Sequence, residues 1–418
     1  MTDRLPDLID GFGGRRVPVI GDAMLDGYLE GACGRVCPEA PVPVVDVCRS
    51  HAAPGGAANA AANARAFGAD VTLLGVVGDD AEATELAALL GDNGVSPDSL
   101  VARPGRRTLA KRRVRAAGQV VCRLDQGDTG PADAAGEAEL VHRLTAGWAA
   151  ADAVVVSDYG YGAPTPAVVA ALAALQHCGP RVVVADSKRL HALRPVGPTA
   201  VKPNFAEASR LLGLDHNPCR PRAAVVAPHG PRILEQTGVK VAAVTLDTEG
   251  TVVFERDRPA YRTYAELHPH SRASGAGDTY TAALALVLAP GADTPATAEL
   301  AAAAAAVVVG KDGTARCTAR ELRARVAGEQ KVTDREGAIV RVAEERRSGG
   351  AAARSPGRAH QRLLRHPAPR PRHLPHPREG PRRPARGRGE HRRRHPPAQG
   401  AGPPGQLARR PGAGARRA

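Results

Sequence analysis

The chain has 418 residues, enough for one large domain or two ordinary ones. Its formal charge of +14 is unevenly spread: residues 346–418 hold 20 Arg and 2 Glu, which leaves 37 basic and 41 acidic residues in the first 345. That acidic balance gives the larger part no electrostatic case for a nucleic-acid or membrane partner. The opening MTDRLPDLID has neither the basic nor the apolar region of a signal peptide. No run of about 18 apolar residues is free of charges or turn signals, so a cytoplasmic protein is expected. Seven cysteines (Cys33, Cys37, Cys48, Cys122, Cys178, Cys219 and Cys317) show no paired metal spacing and read as free thiols.

In chain order, β-branched runs alternate with Ala/Leu-rich stretches. Strands are expected at 17–21, 71–77, 153–157, 181–185, 199–202 and 241–246, and helices at 57–67, 81–92, 133–149, 166–176, 205–212, 297–310 and 318–327. The alternation predicts an α/β domain with a mainly parallel central sheet flanked by helices. Two segments, about 27–50 and 103–125, break the pattern with extended stretches and predict a small β lid over a site. After residue 346 there is no Phe, Tyr or Trp. A segment of Arg, Pro, Gly, Ala and His cannot bury a core, so residues 331–418 are expected to form a linker and a disordered basic tail.

The most informative motif is Ser274-Gly275-Ala276-Gly277-Asp278-Thr279, which precedes an Ala-rich helical run. Glycines that open a helix leave backbone N–H groups at the positive end of its dipole, where an anion can sit. An acidic side chain there suits a base that deprotonates an attacking hydroxyl while the amides stabilise a transferring phosphoryl group. The alternative is a Gly-rich turn capped by Asp278. Asp22 and Asp26 follow a strand end and suit sugar hydroxyls, or a turn and a cap. Gly55, Gly56 and Asn59 open a helix where a ligand could approach the backbone. Asn204 and Glu207 read either as a capping box or as holders of the water shell of Mg²⁺ beside a nucleotide. Asp186, Lys188, Thr245, Asp247 and Gly250 also fall at strand ends. No Walker A motif and no GxGxxG is present.

Together these residues resemble the PfkB/ribokinase family of carbohydrate kinases over roughly residues 10–330. One signature lies around Gly55–Asn59 with Gly75-Val-Val-Gly-Asp-Asp80, the other at Ser274–Asp278. Residues 21–47, 157–160, 201–207 and 307–314 are similar to those kinases of the family that phosphorylate D-glycero-β-D-manno-heptose 7-phosphate at O1 with ATP. The resemblance implies a ribokinase-like fold, with Asp278 as base and Gly275, Ala276 and Gly277 as anion hole. It implies that Asp22, Asp26, Gly55, Gly56 and Asn59 hold the sugar, and that Asn204 and Glu207 serve Mg²⁺ through water. Lys188, Thr245, Asp247, Gly250, Lys311 and Gly313 would border ATP. Arg113, Arg123 or Lys111 would meet the substrate's distal phosphate, and the lid would mediate a homodimer. Three positions depart from the family pattern: Arg272 stands where Asp is usual, Tyr161 where Lys is usual, and Asp247 where Gly is usual in T-x-G-x-x-G. Other acceptors of the family, such as ribose, fructose or a nucleoside, remain the alternative substrates. A nucleic-acid-binding tail is the alternative of a different class.

The tail carries a further signal. Read from the second nucleotide of each codon with free synonymous choice, residues 360–376 permit TNGCFDILHPGHVTYL. Residues from Arg382 permit GDLLVVGVNTDA, and the chain end permits NSLADRAQVLAAL. The first string resembles the GCFD…HxGH motif of the adenylyltransferase domain that follows the kinase domain in the bifunctional members. A frameshift within residues 343–355 is therefore expected to have replaced a second domain. Resequencing the gene checks this, because an intact downstream frame in another register is required.

Overall fold

The computed structural model describes residues 4–214, 220–265 and 272–328. In chain order its strands are β1 Arg16–Gly21, β2 Ala23–Val36, β3 Pro43–Gly56, β4 Asp70–Val77, β5 Leu100–Ala102, β6 Ala110–Ala116, β7 Gln119–Gln126, β8 Ala153–Asp158 and β9 Val182–Ser187. There follow β10 Ala200–Val201, β11 Val241–Thr245, β12 Thr251–Glu255, β13 Tyr261–Thr263, β14 Arg272–Ser274 and β15 Asp312–Thr314. The helices are α1 Leu5–Asp10, α2 Ala57–Ala66, α3 Ala81–Asp92, α4 Ala134–Trp148, α5 Pro166–Cys178, α6 Phe205–Leu212, α7 Arg222–Val226, α8 Gly230–Thr237, α9 Ala276–Leu288 and α10 Thr294–Val309.

Nine strands form the main sheet in the order β13-β12-β11-β10-β9-β8-β1-β4-β5. Pairing from β5 through β11 is parallel, whereas β12 and β13 add antiparallel at one edge. The strands are continuous apolar runs because both faces are covered. In β8, Ala153 and Val155 join the core under α2, α9 and α10, while Val154 and Val156 join the core under α4, α5, α6 and α8. The Ala-rich faces of α2 and α9 pack on one another, and Ala58, Ala61, Ala282 and Ala285 are fully buried.

The lid is a separate four-stranded sheet in the order β3-β2-β6-β7, with β2 pairing antiparallel to β3 and parallel to β6. Its strands are longer at their base than expected. β2 starts two residues after β1 ends, and β3 runs directly into α2, so Asp26, Gly55 and Gly56 belong to lid strands rather than to loops. Residues 103–109, assigned to the lid from sequence, instead lead from main-sheet β5 toward β6. The hairpin β12–β13 and the short helices α7 and α8 were not anticipated. The hairpin follows a turn in which Asp247 adopts φ 53 and Gly250 φ 82, a positive-φ stretch that a non-glycine residue disguises in the sequence. The residues expected to form the tail lie outside the described part. Among the described residues no helix is long and apolar enough to cross a membrane.

Candidate active site

Helix α9 begins at Gly275, whose left-handed backbone (φ 85, ψ 8) turns the chain out of β14. A Cβ there would lie 2.2 Å from Asn59 Nδ2, so both conformation and space require glycine. The first helical bond runs from Thr279 N to the Gly275 carbonyl, which leaves the amides of Ala276, Gly277 and Asp278 without an intrahelical acceptor. These donors and the dipole of a 13-residue helix favour a negative group at this end.

Asp278 sits in the first turn and is 5% exposed. Its Oδ2 accepts from Asn59 Nδ2 at 2.7 Å and its Oδ1 from the Tyr159 hydroxyl at 2.6 Å. Asn59 is itself fixed: Asn63 Nδ2 donates to its Oδ1 at 3.1 Å, while Asn63 Oδ1 accepts from the Thr279 hydroxyl and the Cys317 amide. Burial raises the Asp278 pKa to about 7 against the lowering effect of the Tyr159 and Asn59 hydrogen bonds; Asp186 also raises it and Lys202 lowers it. A carboxyl group poised there exchanges a proton near neutral pH.

Asp278 lines a cleft of about 290 Å³ at the carboxyl ends of the parallel strands, the usual ligand position in an open α/β sheet. Asp158 ends β8, Asp186 lies in β9, and Lys202 and Asn204 follow β10. Lys202 is buried and pairs at 3.0 Å with the half-buried Asp186. Burial is the largest single influence and lowers the Lys202 pKa, but the charge and hydrogen bond of Asp186, joined by the charges of Glu207 and Asp278, together hold the amine above its ordinary value. From the lid come Lys111 and Arg113, the latter bonded to Asp26 Oδ1 at 2.8 Å. The Lys111 and Lys188 ammonium groups both stand 4.7–5.7 Å from the ring centroids of Tyr159 and Tyr161.

Of the residues singled out from sequence, Asp26, Gly56, Lys188, Asn204, Glu207, Thr245, Asp247, Gly275, Gly277 and Asp278 line this one cleft. Asn59 joins it through Asp278, Ala276 contributes backbone, and Gly55 lets β3 pass Asp26, whose Cγ would be 2.9 Å from an added Cβ. Gly250 shapes the neighbouring turn, since a Cβ there would meet the Thr263 carbonyl at 2.3 Å. Four of the expected residues do not line the cleft. Asp22 is buried, and its carboxylate accepts the amides of Tyr159, Tyr161 and Ala163, so it secures a turn and does not line the cleft. Arg123 is half exposed on β7 and bonds Asp125 through two nitrogens. Lys311 pairs with Glu321 at 2.7 Å, away from the cleft. Gly313 packs against the Tyr28 ring of the lid.

Lys202 and Tyr159 were missed as individual site residues. A lysine closing a strand before Pro203 was the available signal for the first. The second needed the fold, because its partner Asp278 is 119 residues away. Asn204 and Glu207 do form the capping box of α6, with both bonds at 2.9 Å. Burial raises the Glu207 pKa. Among the described residues no cluster of three or more His, Cys, Asp or Glu is suited to hold a metal.

A family model described as pfkB family carbohydrate kinase matches residues 15–321. The chain is 37% identical over 358 residues to the bifunctional protein HldE of Caulobacter vibrioides, covering 84% of this chain and 72% of that protein. It is 40% identical over 313 residues to the HldE of Azorhizobium caulinodans, covering 74% and 64% respectively. The chain thus spans only about two thirds of the latter's length. Among solved structures, a putative ribokinase from Agrobacterium tumefaciens superposes with a TM-score of 0.60 at 21% identity, covering 76% of this chain and 99% of that one. Phosphofructokinase-2 from Escherichia coli in complex with fructose-6-phosphate does so at 0.59 and 19%, covering 75% and 98%. These structures share the ribokinase-like α/β fold.

Substitution Gly275→Ala is expected to displace Asn59 from Asp278, lowering kcat by roughly a hundredfold and stability by about 1–3 kcal/mol. Steady-state kinetics with denaturant unfolding measures both. Normal turnover in this variant would contradict the proposed geometry.

Proposed function

We propose, from the premise that this chain belongs to the pfkB family of carbohydrate kinases and is an ATP-dependent sugar kinase, that its acceptor is a phosphorylated heptose, D-glycero-β-D-manno-heptose 7-phosphate, taken at O1. The observation that carries the reading is Asp278, a buried carboxylate with a pKa about 7 beside helix-start amides that lack an intrahelical acceptor. The anomeric hydroxyl loses its proton to Asp278 as its oxygen attacks the γ-phosphorus of ATP in line, and ADP leaves. The Gly275–Gly277 backbone faces the charge on the transferring group, where fixed donors are most effective. Asn204 and Glu207 would hold Mg²⁺ through water, and the ion would supply positive charge against the phosphates. Thr245, Asp247 and Lys188 border the nucleotide.

Two features favour an acceptor that is itself phosphorylated. Lys111 and Arg113 add lid cations to a cleft that already holds Lys188 and Lys202 for a triphosphate. In addition, Asp26 offers the sugar hydroxyls an acceptor beside those cations. The outer lid exposes Val36, Val42, Val47, Val120, Val121 and Leu124, apolar side chains suited to contact with a second copy of the chain. On this reading the protein is a homodimer, and sedimentation at micromolar concentration would return the monomer mass if it is not. The basic tail stands in place of an adenylyltransferase domain lost to a change of frame.

Substitution Asp278→Asn is expected to lower kcat by roughly 10²–10⁴-fold with ATP affinity nearly intact. In the wild type, kcat should rise with pH through about 7, because the base acts only when ionised and its pKa is raised. Kinetics from pH 5.5 to 9 with heptose 7-phosphate, ribose, fructose and nucleosides reads both. Near-normal kcat in the variant defeats the base assignment, and preference for an unphosphorylated acceptor defeats the substrate.

A further inference from the structure

Tyr159 heads the turn after β8, and its phenol donates to Asp278 Oδ1 at 2.6 Å. Underneath, Asp22 ties that turn down. Its Oδ2 accepts the Tyr159 and Tyr161 amides at 2.8 and 3.0 Å, and its Oδ1 accepts the Ala163 amide at 2.9 Å. Asp158 adds a second anchor, accepting from the Ser187 hydroxyl at 2.7 Å and pairing with Arg189 at 3.2 Å. A chain of short bonds therefore runs from Asp22 through the 159–163 turn to one oxygen of Asp278, while Asn59 holds the other.

We propose that Tyr159 is a positioning residue that fixes the orientation and proton affinity of Asp278, and that Asp22 acts through the turn to set Tyr159. This rests on the reading of Asp278 as the base. A phenol donating to a carboxylate stabilises its charged form, so the bond keeps Asp278 ionisable despite burial. Tyr159 does not compete for the proton. Burial and the neighbouring Asp278 charge push its own pKa well above the ordinary value, so it remains a donor throughout the working range. The other charged groups facing this pair are Asp186 in β9, Lys202 after β10, Asp26 and Lys111 on the lid, and Lys188 after β9. None of them supplies a hydrogen bond to Asp278 among the described residues. Tyr159 and Asn59 are its two donors there, and Tyr159 is the one that the Asp22 turn holds.

The substitution Tyr159→Phe keeps the ring and removes the donor. Carboxyl-carbon NMR on Asp-labelled full-length protein, with Asp278→Asn to assign the signal, should show Asp278 titrating about one unit higher in the variant, a roughly tenfold tighter hold on its proton. The acidic limb of kcat should move upward by the same amount, with partial recovery of kcat at pH 9 and the KM for ATP within about twofold. Asp22→Asn should shift the limb in the same direction by less. A purely structural role for Tyr159 would lower kcat equally at all pH values, and an unmoved titration overturns the inference. The two readings separate cleanly. Near-normal kcat in Asp278→Asn refutes the base itself, whereas abolished turnover there with an unmoved titration in Tyr159→Phe refutes only the positioning role.

Discussion

A single carboxylate shared between two neutral donors is the constraint around which this molecule is arranged. Removing a carboxylate from water costs several kcal/mol, and a hydrogen bond to a charged group returns about 1.5–3 kcal/mol. Burial outweighs the two bonds but is held in check by them, so the Asp278 pKa is raised only to about 7. One donor fewer would leave it protonated at working pH, and full solvation would make it a weaker base. The balance depends on groups from three places: Asn59 on α2, Tyr159 after β8, and the start of α9. The parallel sheet brings these together because its strand ends all open toward the same edge.

The lid continues that arrangement. Its first strand begins almost where β1 ends, so the segment that carries Asp26 is anchored in the main sheet and extends away from it. Arg113 reaches Asp26 across the β2–β6 pairing, and Thr314 of β15 donates to the other Asp26 oxygen at 2.9 Å. The cations of the cleft are thus held by partners before any ligand arrives: Lys202 by Asp186, Arg113 by Asp26, and Lys111 and Lys188 against the faces of Tyr159 and Tyr161. Tyr161 occupies the position at which a lysine was expected from the family pattern. Its ring gathers two lysines from separate elements instead.

Much of this was legible in the residues alone. Strands buried on both faces announce themselves as apolar runs, and the helices α3 and α6 begin and end at the residues expected. The Gly275–Asp278 motif also lands at a helix start. What the sequence concealed has a common cause, namely partners far apart in the chain or roles taken by backbone. Asp22 looks like a ligand-binding acid because its three partners are main-chain amides about 140 residues away. Arg123 and Lys311 each pair with an acid close in sequence, Asp125 and Glu321, a pairing the sequence pattern does not reveal. Asp247 stands in a positive-φ position that glycine would fill without strain, so the turn was hidden by a residue that merely tolerates it.

The most direct test of the central claim is a crystal structure with MgADP, a planar fluoride mimic of the transferring phosphoryl group and the sugar phosphate. The account requires the mimic within hydrogen-bond distance of the Gly275–Gly277 amides and the acceptor hydroxyl about 2.6–3.0 Å from Asp278. A mimic bound elsewhere, or an acceptor hydroxyl that points away from Asp278, would contradict it.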